Sequence, residues 1–255
     1  LDEDAAKRGV VTHSSGNHGG ALALAAKRRG IPAYVVVPST CSPMKLANVR
    51  AFGADVRMCE PTVAAREAVC AEVMAETGAT LVHPYDDPLV IAGQGTAALE
   101  MLEEVPDLQA IAVCISGGGL MSGWSIAAHG VNSAIEMIGV EPELAADAKV
   151  SIETGTLQPA LSTSGQTIAD GLRASLSMRT LTILREHLSG TVTVSEAEII
   201  AMMRLTWERL KLVIEPSSAV PLAAVLKHRE RFAGKRVGVI ITGGNVSLDR
   251  LPWQA

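Results

Sequence analysis

The sequence predicts an α/β protein built on open, twisted, mainly parallel β-sheets flanked by helices. Short runs of apolar and β-branched residues alternate along the chain with longer segments of helical periodicity, and this alternation favours βαβ units. Some short runs, such as AIAVCIS at 110–116, are apolar at almost every position, which is typical of strands buried on both faces. Small and polar residues at three strand-to-helix junctions support the same fold, because open α/β sheets bind ligands beyond the carboxyl ends of their strands.

The first part of the chain predicts four strands separated by three helices. The strands are short and bounded by glycine, proline and polar residues. We place them at 9–13, 33–38, 54–60 and 79–84. The helices between them are Asn17–Arg29, Pro43–Phe52 and Val63–Glu76. A boundary near residue 86 then separates a small domain, 9–86, from a larger one, 87–255, and residues 1–8 form a leading helical tail.

The second part of the chain continues the same alternation. The predicted strands lie at 110–116, 137–142 and 236–242. The predicted helices are Ile91–Glu104, Leu120–His129, Glu196–Leu212 and Pro216–Arg229. Ser195 and Glu198 form a capping box before the third of these helices. The stretch Lys149–Gly165 is rich in Ser, Thr, Gly and Pro, so we expect an irregular insert there.

Composition and charge exclude several classes of partner. The net charge of −5 argues against nucleic acid and against an anionic membrane surface. Aromatic residues make up 3% of the chain, too few for platforms that stack single-stranded nucleic acid. No apolar run is long enough to span a membrane, and no signal peptide precedes the first strand. The four cysteines lack CxxC spacing, so we expect reduced thiols in a cytoplasmic protein.

The junction Ser116-Gly117-Gly118-Gly119 indicates a phosphate site. A strand ends, the glycines remove Cβ atoms, and a helix begins, so that several backbone N–H groups and the helix dipole point at one spot. The junction is not a P-loop, because no Gly-Lys-Ser/Thr follows, and its glycine spacing departs from the dinucleotide GxGxxG pattern. The alternative is a tight, empty turn.

The junction after the first strand, Ser14 to Gly19, holds more polar side chains than a turn requires. Ser14, Ser15 and Asn17 can each donate and accept hydrogen bonds, and N–H groups at the helix start can hold a carboxylate. The simpler interpretation is an N-cap at Ser15 or Asn17, which explains one polar residue and not all of them. A third junction of this kind is Thr242-Gly243-Gly244-Asn245.

Seven motifs spread along the chain carry a family resemblance. In order they are THSSGNHG, IAGQGTAALE, SGGGLMSG, GVEPELAADA, TIADGL, WERLKLVIEPSSAV and ITGGNVSL. The chain resembles the family of serine racemases, serine/threonine dehydratases and 3-hydroxyaspartate dehydratases, fold-type-II (tryptophan synthase β-like) enzymes that use pyridoxal 5′-phosphate (PLP). The resemblance covers essentially the whole sequence.

The resemblance implies a set of cofactor-binding residues. The cofactor phosphate would lie on Ser116, Gly117, Gly118, Gly119 and Leu120. In the same way, Asn17 would bond the ring hydroxyl, Glu215 would lie near the ring, and Thr242 would meet the pyridine nitrogen. A hydroxyl at that place leaves the nitrogen unprotonated, which favours elimination over transamination.

The resemblance also implies a substrate loop. Ser14, Ser15, Gly16, Asn17 and His18 are similar to the loop that grips the substrate carboxylate, and Arg66 aligns with an arginine on the substrate side. A solvated helix face is the alternative for Arg66. Ser15 is expected to be catalytic, because a hydroxyl opposite the lysine could protonate a carbanion from the second face, as racemisation requires.

A divalent-cation site is the third implication. Glu141, Ala145 and Asp147 are similar to the family's cation ligands, and two carboxylates with a carbonyl suit Mg²⁺ or Ca²⁺. The alternative is an acidic surface turn.

The expected Schiff-base lysine is the one departure from the family pattern. In the family it lies in Ser-Phe-Lys-x-Arg-Gly, upstream of SSGNHG, whereas the residues before Ser14 contain only Lys7, outside that context. We therefore expect the larger domain to be incomplete and the chain as written to be inactive, a fragment or a relative that binds PLP or an amino acid.

The intact protein is expected to dehydrate a β-hydroxy amino acid such as serine, threonine or 3-hydroxyaspartate. The products are a 2-oxo acid and ammonia, and serine or aspartate could also be racemised. A β-replacement reaction is the other enzymatic alternative, and the substrate-loop serines argue against it. We expect a small amino-acid substrate and a homodimer.

Overall fold

The computed structural model describes residues 1–14 and 16–254, apart from the side chain of residue 63. The chain divides into two compact units, Leu1–Pro84 and Tyr85–Ala255. Each unit is an α/β layer built on a four-stranded parallel sheet, as the alternating pattern predicts. Among the described residues, no helix is both long enough and apolar enough to cross a membrane.

In the first unit, the strand that comes first in the sequence lies inside the sheet and not at its edge. The strands are β1 (Val10–Thr12), β2 (Ala33–Pro38), β3 (Asp55–Cys59) and β4 (Thr80–Leu81), arranged in the order β3-β2-β1-β4. The helices are α1 (Glu3–Arg8), α2 (Asn17–Arg29), α3 (Pro43–Ala51) and α4 (Val63–Thr77). Because β2 and β4 lie on opposite sides of β1, the turn after β1 sits at a topological switch point, where such sheets bind ligands.

The second unit repeats this arrangement on a larger scale. Its strands are β5 (Ala110–Cys114), β6 (Glu136–Pro142), β7 (Gly190–Val194) and β8 (Val237–Val239), in the order β7-β6-β5-β8. Its helices are α5 (Pro88–Glu104), α6 (Gly119–Val131), α7 (Asp147–Thr154), α8 (Met178–His187), α9 (Glu196–Leu210), α10 (Pro216–Lys227) and α11 (Arg229–Phe232). The switch point lies between β5 and β8, so the turns that follow these two strands share one edge of the sheet.

Two apolar clusters cover the two faces of the second sheet. One packs α9 and α10 against β5 and β6 through residues such as Met203 and Ala219. The other packs α5, α6 and α8 through residues such as Trp124 and Leu184. Helices α5 and α6 approach closely because a Cβ on Gly123 would lie 2.1 Å from the carbonyl oxygen of Ile91. This contact fixes the position of α6, whose first turn begins the glycine junction.

The structure corrects the prediction for Lys149–Gly165. Residues 147–154 form α7, and Ser164–Gln166 form a short 3₁₀ turn, so only the middle of this stretch is irregular. The helix was not predicted because its buried residues, Asp147, Ala148 and Ser151, are small or polar, while the apolar Val150 is exposed. Strand β7 and helix α8 were also not predicted. The residues of β7, GTVTV, are too few and too polar to stand out as a buried strand.

Candidate active site

The turn after β1 is held tightly against the start of α2. A Cβ on Gly19 would lie 1.8 Å from the carbonyl oxygen of Ser14, so the glycine allows the helix to begin directly beside the turn. The backbone N–H of Gly16 donates to Ser14 Oγ at 3.4 Å. Ser15, the predicted catalytic hydroxyl, lies outside the described residues.

The other predicted substrate residues of the first unit lie at the start of α2 and on α4. Asn17 is the first residue of α2 and is exposed. His18 Nε2 donates to the carbonyl oxygen of Val82 at 3.2 Å, which joins the start of α2 to the chain after β4. Arg66 lies on α4, where its Nε donates to the carbonyl oxygen of Thr62 at 3.3 Å. Half-buried Arg66 is therefore not on a fully solvated helix face.

The glycine junction of the second unit leaves the first N–H groups of α6 available. Gly118 adopts a left-handed φ of 85°, and its N–H donates to the carbonyl oxygen of Ile115. The next three N–H groups, those of Gly119, Leu120 and Met121, find no hydrogen-bond partner in the part of the chain that the structure describes. Three converging donors at the start of a 13-residue helix form a cradle for an anion.

The cradle is braced by two contacts. Ser116 is held at a left-handed φ of 54°, a conformation that costs a non-glycine residue about 1–2 kcal/mol. Its Oγ accepts the N–H of Ala174 at 3.2 Å, which helps to offset that cost. On the other side the ring of Tyr85 packs on Gly117, where a Cβ would lie 2.4 Å from the ring. The absence of Cβ atoms at the glycines therefore has two effects. It leaves space for the ring of Tyr85, and it leaves the N–H groups at the start of α6 accessible.

Thr242 is positioned by a buried serine that the sequence did not single out as functional. Ser218, in the first turn of α10, is fully buried. Its Oγ lies 2.9 Å from Thr242 Oγ1 and donates to the carbonyl oxygen of Gly243 at 2.8 Å. Ser218 Oγ also accepts the N–H groups of Thr242 at 3.1 Å and Gly243 at 2.8 Å. Ser218 thus fixes the turn that follows β8.

Glu215 belongs to the same edge of the sheet. It is buried, its N–H donates to the carbonyl oxygen of Gly243, and its carboxylate accepts the N–H of Asn245 at 3.0 Å. Burial, with a smaller contribution from the Glu215 charge, raises the pKa of the Cys114 thiol to about 12. Through its bond to Gly243, Glu215 lies at the turn after β8, the strand that pairs with β5.

A pair of carboxylates, Glu141 and Asp147, lies at the end of β6 and the start of α7. Glu141 and Asp147 are each 1% exposed, and Ala145 between them is buried. Glu141 accepts the N–H groups of Ala148 and Lys149, at 3.3 and 2.7 Å. Burial raises the pKa of Glu141 to about 8, and the charge of Asp147 acts in the same direction. Asp147 Oδ2 is buried without a partner among the described residues, so this donor set is suited to a cation and is not a surface turn.

The comparisons with known proteins agree with this geometry. A family model described as "Pyridoxal-phosphate dependent enzyme" matches residues 1–243. The chain belongs to this family. The PLP-dependent enzyme is 48% identical to the beta-hydroxyaspartate dehydratase of Paracoccus denitrificans (strain Pd 1222) over 253 residues, which cover 99% of this chain and 80% of that relative.

Two serine racemases are also similar to this PLP-dependent enzyme. The serine racemase of Arabidopsis thaliana is 46% identical over 260 residues, covering 100% of this chain and 78% of the racemase. The solved structure of maize serine racemase matches with a TM-score of 0.92 and 41% identity, over 98% of this chain and 77% of that one. These matches confirm the predicted family and the α/β fold.

The predicted site residues of the PLP-dependent enzyme fall into three groups. Of the predicted substrate residues that the structure describes, residues 14 and 16–18 flank the turn after β1 and Arg66 lies on α4, all in the first unit. The cradle, Glu215 and Thr242 share the carboxyl edge of β5 and β8 in the second unit. The carboxylate pair joins the end of β6 to the start of α7. Sequence reasoning missed Ser218 and Tyr85, although Ser218 stands inside the motif IEPSSAV, because neither side chain has a chemical role that its neighbours in sequence disclose.

Proposed function

We propose that this protein catalyses the PLP-dependent dehydration of a β-hydroxy amino acid to a 2-oxo acid and ammonia. The proposal rests chiefly on the cradle, whose N–H groups at Gly119, Leu120 and Met121 suit the phosphate of the cofactor. When bound, PLP supplies an electron sink that stabilises negative charge at the substrate α-carbon. The relatives' names, a dehydratase and racemases, support this class of reaction.

The residues of the second unit would hold and tune the cofactor. Ser116 to Leu120 would carry the phosphate, and Glu215 would lie near the ring. Ser218 donates its one hydroxyl proton to the carbonyl oxygen of Gly243 and accepts the N–H groups of Thr242 and Gly243. The turn fixed in this way would let the Thr242 hydroxyl donate to the pyridine nitrogen. An O–H donor keeps that nitrogen neutral, a setting that favours elimination.

The residues of the first unit would bind the amino acid. Ser14, Gly16, Asn17 and His18 hold the α-carboxylate through side-chain groups and N–H groups at the start of α2, and Asn17 also bonds the cofactor hydroxyl. Ser15 would give or take a proton on the second face of the α-carbon. Dehydration needs a base on one face alone, whereas racemisation needs Ser15 too.

An assay of the full-length protein tests this function. With PLP added, L-serine, L-threonine and 3-hydroxyaspartate are compared by following the 2-oxo acid, ammonia and D-amino acid. We expect 2-oxo acid from at least one substrate, and D-amino acid formation that is lost in Ser15→Ala while the 2-oxo acid persists. Absence of 2-oxo acid from all three substrates would contradict the proposal.

A second candidate, noncovalent binding of PLP without turnover, is favoured by the lysines of the second unit. Each of these lysines already donates to an acceptor. Lys149 bonds Glu153, and Lys211 bonds the carbonyl oxygen of Glu208. Lys227 bonds two glutamates, and Lys235 bonds Glu136. Borohydride treatment after PLP addition separates the two functions. A reduced adduct on one lysine, found by mass spectrometry, supports the enzyme, and cofactor that dialyses away after reduction supports the binding protein.

We also propose that Glu141, Asp147 and the carbonyl of Ala145 bind Mg²⁺ or Ca²⁺. A divalent ion would offset the repulsion between two buried carboxylates and give Asp147 Oδ2 a partner. We expect millimolar Ca²⁺ to raise the Tm of the protein by several degrees, since a ligand of the folded state stabilises it. Thermal melts with and without EDTA measure this shift.

The matched variants for this prediction are Glu141→Gln and Glu143→Gln. Glu141→Gln removes one carboxylate ligand and should abolish the Ca²⁺ shift. Its amide nitrogen cannot accept one of the two N–H groups that the Glu141 oxygens accept, so its melting temperature without cation should also fall. Glu143 pairs with Lys227 at the surface, so Glu143→Gln should retain the shift. A shift that survives Glu141→Gln would place the cation elsewhere. A homodimer and a cytoplasmic location are further proposals, which light scattering and cell fractionation would check.

A further inference from the structure

Two histidines that the proposed reaction does not use meet where two helices of the second unit end. His129 lies in the last turn of α6, and His187 is the last residue of α8. Their Nδ1 atoms are 3.0 Å apart, and their ring centroids are 5.1 Å apart with planes tilted by 48°. Both side chains are half-buried, so the pair is packed by the protein and is still accessible to solvent.

A backbone carbonyl fixes the position of the proton on His129. The Nε2 atom of His129 lies 3.0 Å from the carbonyl oxygen of Ile135, which precedes β6. Because a carbonyl oxygen can only accept, Nε2 carries the hydrogen and donates it, which leaves a lone pair on Nδ1 of the neutral imidazole. Histidines that bind metal ions are held in this way, since a carbonyl partner on one nitrogen fixes the tautomer and the orientation of the ring. His129 therefore presents an electron-pair donor to His187.

The spacing of the two Nδ1 atoms suits a shared metal ion. Two ligand nitrogens that each lie about 2.0–2.1 Å from one ion are about 2.8–3.4 Å apart, for angles at the ion between a right angle and the tetrahedral value. The observed 3.0 Å lies inside this range. Without an ion, the Nδ1 proton of His187 fills the gap as a hydrogen bond to His129. An ion takes the place of that proton, which passes through solvent to Nε2 of the same ring, so both imidazoles stay neutral.

The surroundings of the pair favour a cation. The carboxyl-terminal end of a helix carries about half a negative charge, and both histidines lie at such ends. Arg185, in the same turn of α8 as His187, lies beside Gly155 instead, where a Cβ would be 2.7 Å from the guanidinium. Two helix ends therefore offset part of the charge of an ion held between the rings.

The ligand atoms select the class of ion. Imidazole nitrogen suits Cu²⁺, Ni²⁺ and Zn²⁺, whereas Mg²⁺ and Ca²⁺ take oxygen ligands. The part of the chain that the structure describes holds no group of three or more His, Cys, Asp or Glu side chains able to bind a metal ion. Water therefore completes the coordination of an ion held by the two rings.

We propose that His129 and His187 form a binding site for a divalent transition-metal ion, which clamps the ends of α6 and α8 together. The site is distinct from the carboxylate pair between β6 and α7. Both helices begin at the cradle, because a Cβ on Gly118 would lie 2.8 Å from Cβ of Thr180 in the first turn of α8. The rise from the first turn of α6 to His129 is about 15 Å, so the ion holds the two helices at the end remote from the cradle.

Titration with Ni²⁺ tests the site directly. Isothermal titration uses the full-length protein without a histidine tag, treated with PLP and freed of unbound cofactor. We expect one Ni²⁺ site in the unchanged protein and an affinity at least tenfold lower in His129→Gln and in His187→Gln, because each variant loses one of two nitrogen ligands. The matched control is His228→Gln, which removes another half-buried histidine of the second unit, one that contacts the carbonyl oxygen of Thr193. Its Ni²⁺ affinity should equal that of the unchanged protein.

Two further readouts separate metal binding from a structural role. The electron paramagnetic resonance spectrum of bound Cu²⁺ should show coupling to two nitrogens in the unchanged protein and to one in His187→Gln. An excess of Ca²⁺ should leave Ni²⁺ bound, because Ca²⁺ does not compete for imidazole nitrogen. A histidine pair with only a structural role would give neither the coupling to two nitrogens nor a Ni²⁺ affinity that depends on both rings.

Two results would overturn the proposal. One is the absence of a Ni²⁺ site in the unchanged protein, or a Ni²⁺ affinity that neither His129→Gln nor His187→Gln lowers. The other is a loss of Ni²⁺ binding in His83→Gln, which would assign the ion to His83 and His13, whose rings pack edge to face in the first unit. If His129→Gln or His187→Gln fails to fold, the nitrogen coupling of Cu²⁺ in the unchanged protein, compared with that in His83→Gln, decides between the two pairs.

Discussion

Replacing Gly119 by alanine is expected to weaken PLP binding at least tenfold and to lower the free energy of unfolding by about 2 kcal/mol, within the range for overpacked sites. A Cβ at this position would lie 2.7 Å from the Cα of Tyr85 and 2.8 Å from its carbonyl oxygen. Backbone atoms cannot swing aside as a flexible side chain can, so the first turn of α6 must shift. That shift misaligns the N–H groups that form the cradle. Fluorescence titration with PLP and urea unfolding measure the two effects.

The same helix supplies the control for this prediction. Gly130 lies near the end of α6, and a Cβ there would meet no atom within 4 Å. Gly130→Ala should therefore stabilise the protein by about 0.5–1 kcal/mol, the usual gain for alanine in a helix, and leave PLP affinity unchanged. If Gly119→Ala binds PLP as tightly as Gly130→Ala does, the cradle is not the phosphate site.

Ser218→Ala should lower the free energy of unfolding by about 1–3 kcal/mol and weaken PLP binding, because it breaks the bonds that hold the turn after β8. The Ser218 hydroxyl is fully buried, donates to the carbonyl oxygen of Gly243, accepts the N–H groups of Thr242 and Gly243, and lies 2.9 Å from Thr242 Oγ1. Removing one partner of a buried bond costs the desolvation of the group left behind. The Thr242 hydroxyl also loses its orientation, so the absorption band of bound PLP should shift.

Another buried serine provides the comparison for Ser218→Ala. Ser125, also fully buried, donates its hydroxyl to the carbonyl of Ser122 within α6. That bond stays inside the helix, and alanine has the higher helix propensity, so Ser125→Ala should change stability by less than about 0.5 kcal/mol. If both variants lost the same free energy of unfolding, Ser218 would contribute only through packing. An unshifted PLP absorption band in Ser218→Ala would show that Ser218 does not act on the cofactor.

The sequence predicts the glycine turn after β5 and the described strands other than β7, because their signals are local. Runs such as AIAVCIS mark a buried strand without reference to the rest of the chain, and a glycine run after such a strand marks its turn. Contacts between distant residues give no such signal. Tyr85 packs on Gly117, and Ser218 bonds Thr242, through pairings that exist only once the sheet has formed. Helix α7 was missed for a related reason, since its buried face is made of small residues such as Ala148 and Ser151.

The position of the two turns at the β5–β8 edge has a consequence for biosynthesis. The strand that leads into the cradle is synthesised before the strand that leads into Thr242, because β5 precedes β8 along the chain. Since β8 pairs with β5 directly, a nascent chain whose synthesis has not reached β8 holds the cradle without the neighbouring turn at Thr242. If the proposed function is right, vitamin B6 capture should wait until β8 has left the ribosome, and translation products truncated before β8 should not retain the coenzyme.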